Sequence, residues 1–336
     1  MVLCAGFGTR LRPLTDKVPK PLIPLCGVPL LRYNFALLKN AGVTEIVINT
    51  HHLGAAMEQG ARAIAGELAL HLQISREEKH ILGTGGGVRH AQPMLGNGTF
   101  FLLNGDMVFD VDLQAALAAH KKAGAVATMV LAPYPRGATY SAVEVDAAMN
   151  VRRIAGRGAG ADPSLTRTHF TGVHLLEPEL IARLPEGESD INRTAYVRAI
   201  HDGAKVHGFL QNGYWGDLGA PRSLLRAHLD VLEGRVPLRR FRPDADPFAG
   251  CEERAPGAFV HSSARVDTAV ASPALIQVGA IVEAGARLGP GVMIGAGARV
   301  DAGAQLERAV VWEGTHVAAG ERVVEQIAAP GVRLEA

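Results

Sequence analysis

The sequence predicts an α/β protein, a mainly parallel, doubly wound sheet followed by a small triangular parallel β-helix. Two observations carry this. Over residues 1–130 short apolar runs alternate with helical patterns, the rhythm of parallel strands joined by helices that cover both faces. Beyond residue 257, Ile276, Val282, Leu288, Ile294, Val300, Leu306 and Trp312 stand six apart with Gly, Ala and Asp between them. That spacing fits neither a helix nor an alternating strand. It fits hexapeptides that each form one side of a coil, with the apolar residue inward and small residues at the corners.

Residues 2–4 read as a short first strand, and residues 29–40 as a helix with Leu30, Leu37 and Leu38 on one side, stopped by Gly42. EIVINT (45–50) is a buried strand, 53–67 a helix, and LHLQIS (70–75) extended. A glycine cluster, LGTGGGVRHA (82–91), opens a helical stretch, and TFFLLN (99–104) is another buried strand. Asp112 N-caps a helix that ends at Gly124, and VATMVLA (126–132) is a strand. Residues 144–232 are mixed, with an excursion (SAVEVDAAMNVRRIAG), a return (FTGVHLLEP) and a closing helix after Pro221; they complete a first domain, 1–235. The proline-rich stretch 236–257 reads as a linker to the repeat domain, 258–330. There Val260 and Val266 extend the series upstream, while Val311, Val317 and Val323 continue it one residue out of phase, for about four coils of about 18 residues.

Thirty-four Lys and Arg against 33 Asp and Glu leave a formal charge of +1, so the balance calls for neither nucleic acid nor an acidic membrane surface. A small partner is expected. Cys4, Cys26 and Cys251 are odd in number and lack CxxC spacing, which points to reduced thiols. No signal peptide or spanning apolar run is evident, and a cytoplasmic location is expected.

The stretch LCAGFGTRLRPLT (3–15) is a strand running into an anion-binding loop. A dinucleotide loop needs a third glycine where Leu11 stands, and a Walker A loop needs Gly-Lys, which the sequence lacks. What remains is Gly6 and Gly8, open to close approach by an anion, followed by Arg10, Arg12, Lys17 and Lys20 against Asp16 alone. Pro19 and Pro21 stiffen the presentation of Lys20. A solvated basic turn is the structural alternative. Asp106 follows a buried strand and Asp217 lies in a Gly-flanked turn; a magnesium ion takes one or two such carboxylates with phosphate oxygens and water. Either aspartate could instead serve only its turn, and Asn104-Gly105 is itself a hairpin signal. Gly83, Gly85 and Gly86 offer bare backbone to a base or phosphate, or simply form a flexible helix start. His51, His52, His261 and His316 read as structural or surface residues. No GxSxG, HExxH or Cys–base pair is present, so covalent catalysis has no visible nucleophile; a reaction whose nucleophile is already ionised would need none, and a phosphate monoester fits.

With these residues in place the chain resembles the sugar-1-phosphate nucleotidyltransferases. AGFGTRLRPLTDKVPKPLIPL matches that family's G-x-G-T-R-L-x-P-L-T…P-K-P-L-x-P signature, and GTGGGV, LNGD, FTGVHLL and GYWGDLGAP follow in its order over residues 1–230. The resemblance implies a Rossmann-like catalytic domain, a left-handed form for the β-helix, and Mg²⁺-dependent formation of an NDP-sugar and pyrophosphate from NTP and a sugar 1-phosphate. It implies that Ala5, Gly6, Gly8, Thr9 and Arg10 hold the triphosphate, with Arg10 on the departing pyrophosphate. Gly83, Thr84, Gly85 and Gly86 would line the nucleoside. Lys20, Thr171 and Gly172 would meet the sugar phosphate, and Asp106 and Asp217 the metal. The mannose-1-phosphate guanylyltransferase group is the nearest in kind. Muramate or heptose 1-phosphate nucleotidyltransferases and a silent regulatory homologue are the alternatives; retention of Arg10, Lys20, Asp106 and Asp217 together argues against the last. The family's Glu-Lys-Pro segment is absent, and Arg152, Arg153 or Arg157 is a candidate substitute. The β-helix is expected to mediate homo-oligomerisation.

Overall fold

The computed structural model describes residues 1–135 and 140–336. The chain divides into two units: Met1–Phe7, Leu37–Gly105 and Phe109–Trp215 form one, Gly8–Ala36, Asp106–Val108 and Gly216–Ala336 the other.

The first unit is built on a mixed sheet. Strand Val2–Leu3 lies between Phe100–Asn104 and Glu45–Thr50, parallel to both, and His71–Arg76 extends the parallel run. Ile46, Val47, Ile48, Leu102 and Leu103 are buried, as continuous apolar runs in a two-sided sheet must be. Helix Gly54–Glu67 turns Met57, Ala61, Ile64 and Ala65 inward. In helix Leu113–Ala123 the Asp112 carboxylate accepts from the Ala115 N–H at 2.9 Å, and Gly124 closes the helix at φ 58°. Strand Thr166–Leu176 then runs antiparallel to Phe100–Asn104, Ala127–Pro133 and Ala142–Val145, so this half of the sheet is antiparallel except where Val206–Leu210 pairs parallel to Ala127–Pro133. The expected excursion is the antiparallel pair Ala142–Val145 and Val151–Ile154.

In the second unit, three parallel sheets form the faces of a β-helix. Ile276 stacks on Ile294 and Val311, Val282 on Val300 and Val317, and Leu288 on Leu306 and Val323; all are buried. The coils shorten by one residue after Leu306, where Arg308 takes φ 46°. Val311, not the expected Trp312, therefore fills the inward position. At the corners Gly297 and Gly303 adopt φ 60° and 77°, conformations that favour glycine. Antiparallel strands Cys251–Ala255 and Val332–Glu335 flank the first and last rungs of one face.

The stretch read as a linker is ordered: Phe241 is buried edge-on against Tyr33 at 5.3 Å, and the Asp244 carbonyl accepts from Arg32 Nε at 2.5 Å. Helix Pro221–Leu232 lies on the β-helix, close enough that a Cβ at Gly291 would sit 2.8 Å from Leu229 Cδ2. The Cys26 turn is held from both sides, its N–H donating to His228 Nδ1 at 3.1 Å and its carbonyl accepting from Gln277 Nε2 at 2.9 Å. Burial pushes the Cys26 thiol up and His228 down to about 3, leaving both uncharged and unreactive. All three cysteines are free thiols. Among the described residues no helix is long and apolar enough to cross a membrane.

Candidate active site

In the second unit the phosphate-loop signature folds around Gly8. Its φ of 63° starts a 3-10 turn, Thr9–Leu11, and its carbonyl accepts from the Leu11 N–H and the Thr15 hydroxyl, each at 2.9 Å. A Cβ at Gly8 would lie 2.8 Å from Thr15 Cγ2 and 3.2 Å from Lys20 Cβ, so glycine is needed for conformation and for closeness. Lys20 follows Pro19 in the turn Lys20–Leu22, and its side chain is only 9% exposed, with Nζ in direct contact with Asp106 Oδ2. Asp106 precedes the short strand Met107–Phe109, which pairs with Trp215–Asp217. Asp217 Oδ1 accepts from the Gly219 N–H at 2.9 Å, and its other oxygen is 3.8 Å from Arg10 Nη2. A Cβ at Gly219 would fall 2.3 Å from that guanidinium nitrogen. Arg10 is 64% exposed and free to reach an anion.

Four of the predicted residues, Arg10, Lys20, Asp106 and Asp217, thus stand as two ion pairs carried by two paired strands and one loop. Among the described residues no group of three or more His, Cys, Asp or Glu is preassembled for a metal. The donor set is two carboxylates, which fits magnesium, an ion that keeps water and phosphate oxygens in its shell.

In the first unit Gly6 is exposed, with no atom of the described residues within 4 Å of where a Cβ would lie, while Ala5 is buried. The glycine cluster turns out differently from a bare surface. In helix Gly83–Ala91, a Cβ at Gly83 would lie 2.6 Å from the Ser189 carbonyl, at Gly85 2.6 Å from Ser189 Oγ, and at Gly86 2.2 Å from the Gly187 carbonyl. The Gly85 N–H donates to Ser189 O at 2.8 Å, and Thr84 Oγ1 accepts from the Ile191 N–H at 3.0 Å. Gly85 and Gly86 are therefore buried against the 184–191 segment, and only Gly83 and Thr84 keep partial exposure. Thr171, expected at the sugar phosphate, is fully buried with its hydroxyl donating to the Val130 carbonyl at 2.8 Å; its own carbonyl accepts from Trp215 Nε1. Gly172 is buried at φ 91° in the same strand.

A cavity of about 200 Å³ in this unit is lined by Tyr140, Ser141, His169, Asp190, Asn192 and Arg193, among others. His169 lies between Trp215, which it meets edge-on at 4.4 Å, and Tyr140, tilted against it at 4.6 Å. Of the candidate arginines, Arg153 is held by Glu144 and by the Gly156 carbonyl, while Arg152 and Arg157 are exposed. His51 is structural: its Nδ1 lies 2.6 Å from the Glu77 carbonyl, and its ring packs edge-on against Phe7. Sequence reasoning passed over Glu77 itself, a carboxylate buried to 3% exposure.

The nucleotidyl transferase family matches residues 1–234. The chain belongs to that family. The mannose-1-phosphate guanylyltransferase of Mycobacterium tuberculosis is 32% identical over 240 residues, 70% of this chain and 65% of that protein. The UTP–glucose-1-phosphate uridylyltransferase of Synechocystis is 28% identical over 249 residues, 70% of this chain and 64% of that protein. The matched part of the chain thus spans just under two thirds of either relative. A crystal structure of a Bacillus anthracis protein bound to sucrose shares the fold, with a TM-score of 0.58 at 20% identity over 68% of this chain and 92% of that one.

Proposed function

We propose that the chain is a sugar-1-phosphate nucleotidyltransferase most like the mannose-1-phosphate guanylyltransferases, making an NDP-sugar and pyrophosphate from NTP and sugar 1-phosphate. The observation that carries this is the two ion pairs Lys20–Asp106 and Arg10–Asp217, their lysine and arginine on one loop and their aspartates at two paired strands. The sugar-phosphate oxygen attacks the α-phosphorus in line, the bond to the bridging oxygen of the β-phosphate breaks, and the electron pair leaves on pyrophosphate. A phosphate dianion needs no general base, so the protein's part is positioning and charge neutralisation. Lys20, pinned by Asp106, presents its ammonium to the α-phosphate and the incoming phosphate. Arg10, long and exposed, meets the charge growing on pyrophosphate, and the open backbone at Gly6 lets the triphosphate approach. Asp106 and Asp217 would hold Mg²⁺, which when bound supplies further neutralisation of the phosphate oxygens. Gly83 and Thr84 line the nucleoside in this reading.

The test is pyrophosphate release with Mg²⁺ across a matrix of NTPs and sugar 1-phosphates. At least one pair is expected to turn over, and Asp106→Ala to abolish it. Silence across the matrix with retained nucleotide binding would favour a regulatory homologue instead. Self-association through the β-helix belongs to the same proposal; a monomer by sedimentation at micromolar concentration would remove it.

A further inference from the structure

Every polar atom of the buried Glu77 side chain is committed. Its Oε1 accepts from Asn49 Nδ2 at 2.7 Å and its Oε2 from the Leu82 N–H at 2.7 Å. Asn49, 2% exposed, accepts in turn from the Cys4 N–H at 2.8 Å. Glu77's backbone is tied as well, its N–H to Thr50 O at 2.9 Å and its carbonyl to His51 Nδ1. A Cβ at Gly87 would lie 2.8 Å from both Asn49 Nδ2 and Glu77 Oε1, so the pair rests directly on the backbone of helix Gly83–Ala91. One continuous hydrogen-bonded chain therefore runs from Cys4, just before Ala5 and Gly6, to Leu82, just before the helix start at Gly83 and Thr84. A buried carboxylate is costly unless satisfied, and an apolar pair would fill the space without joining these two segments.

We infer that Glu77 and Asn49 are positioning residues for the nucleotide, a linked pair that holds the Ala5–Gly6 segment and the helix start at Gly83–Thr84 in the geometry the NTP requires. This rests on the transferase reading above for its ligand. Neither side chain touches substrate. The chain of bonds ends at the two segments assigned to NTP and reaches none of the residues assigned to the sugar, so its effect falls on NTP alone.

The hydrogen-bond directions supply a test that a merely structural role would not pass. The Cys4 and Leu82 N–H groups at the two ends are both donors, so the residues between them must supply an amide and a carboxylate, in either order. Glu77→Gln leaves one donor facing another whichever way its amide is turned. Asn49→Asp sets two carboxylates together. The exchanged pair Asn49→Asp with Glu77→Gln restores every bond, with the middle one reversed and the net charge unchanged. Binding of Mg²⁺-NTP by calorimetry, using whichever of GTP, UTP, dTTP, CTP or ATP binds the wild type most tightly, is the first readout; KM for each substrate is the second.

Glu77→Gln is expected to weaken NTP binding about tenfold or more with KM for the sugar phosphate held within about twofold, since small misplacements of a binding turn carry penalties of this order. The exchanged pair is expected to recover to within about threefold of wild type. Folding is checked by circular dichroism, and Leu82 amide exchange in the free protein is expected to speed up in Glu77→Gln and slow again in the exchanged pair. An exchanged pair that folds yet binds no better than Glu77→Gln overturns the inference. So does a Glu77→Gln protein with wild-type NTP affinity, or one in which both KM values rise together. Wild-type protein that binds NTP but never turns over overturns the transferase reading and leaves these binding comparisons valid.

Discussion

Lys20 is placed by its neighbours. Prolines on either side fix its backbone, Gly8 allows the loop to close over its Cβ, and Asp106 fixes the ammonium. Lys20→Ala is expected to lower turnover about 10²–10³-fold, the usual loss when one preorganised charge is removed from a developing oxyanion. The melting point should fall only modestly: Asp106 is 29% exposed and can rehydrate, while the Lys20 stem, 9% exposed, loses packing of about 1–3 kcal/mol. A large stability loss with turnover intact would place the pair in the scaffold instead. Asp217→Asn should raise the Mg²⁺ concentration for half-maximal rate, measured by titrating the metal at fixed NTP, since one of two hard oxygen ligands loses its charge. These residues stood out as candidates in the sequence through local features, a lysine between prolines and an aspartate after a buried strand, while the roles proposed for them came from the family resemblance. Glu77 did not stand out. Its partners, Asn49 and the Leu82 amide, come from segments 28 positions before it and 5 after it, and only the pairing of strands Glu45–Thr50 and His71–Arg76 makes them neighbours.

Among the elements, helix Gly83–Ala91 shows how a correct pattern can carry an incomplete reading. Its glycines mark a place where backbone must come close to something, which sequence can show; whether that something is ligand or protein, it cannot. Here Gly85 and Gly86 meet the 184–191 segment, about a hundred residues away. Gly86→Ala is expected to cost about 1–3 kcal/mol, as overpacking against backbone does, read as a lowered melting temperature. Gly98→Ala, where a Cβ meets no atom of the described residues within 4 Å, should change the melting temperature hardly at all. The β-helix was more fully legible, because each coil buries the same position in turn. Even its slip showed, in the shifted phase of Val311, Val317 and Val323. What the spacing could not place was the residue that absorbs the slip, since Arg308 at φ 46° carries no marker in its side chain.

For the whole molecule, strand content was readable from apolar runs, and parallel pairing from their alternation with helices and from the hexapeptide repeat, but the antiparallel half of the sheet was not. Thr166–Leu176 has the same buried, β-branched and aliphatic texture in either direction, and its antiparallel place between Phe100–Asn104 and Ala127–Pro133 follows only from the pairing itself. The two units nonetheless share one thermodynamic weakness. In the first, His174 is fully buried, its Nδ1 2.7 Å from the Tyr196 hydroxyl, and burial pushes it down to about 3; in the second, burial does the same to His228. Both are neutral in the fold and titrate near 6.5 when unfolded, so between those values the unfolded chain binds more protons and stability rises with pH. Their contribution is fully present above about pH 6.5 and is lost as pH falls toward 3, at about 1.4 kcal/mol per pH unit for each histidine. Going from pH 7.5 to 5.0 should therefore remove about 2 kcal/mol per site, seen as a lower melting temperature in a pH series. His174→Gln, which keeps a hydrogen-bonding group opposite Tyr196 but cannot titrate, starts from its own lower baseline and should show a shallower fall over the same range. An unchanged slope in that variant would assign the acid sensitivity to groups other than this histidine.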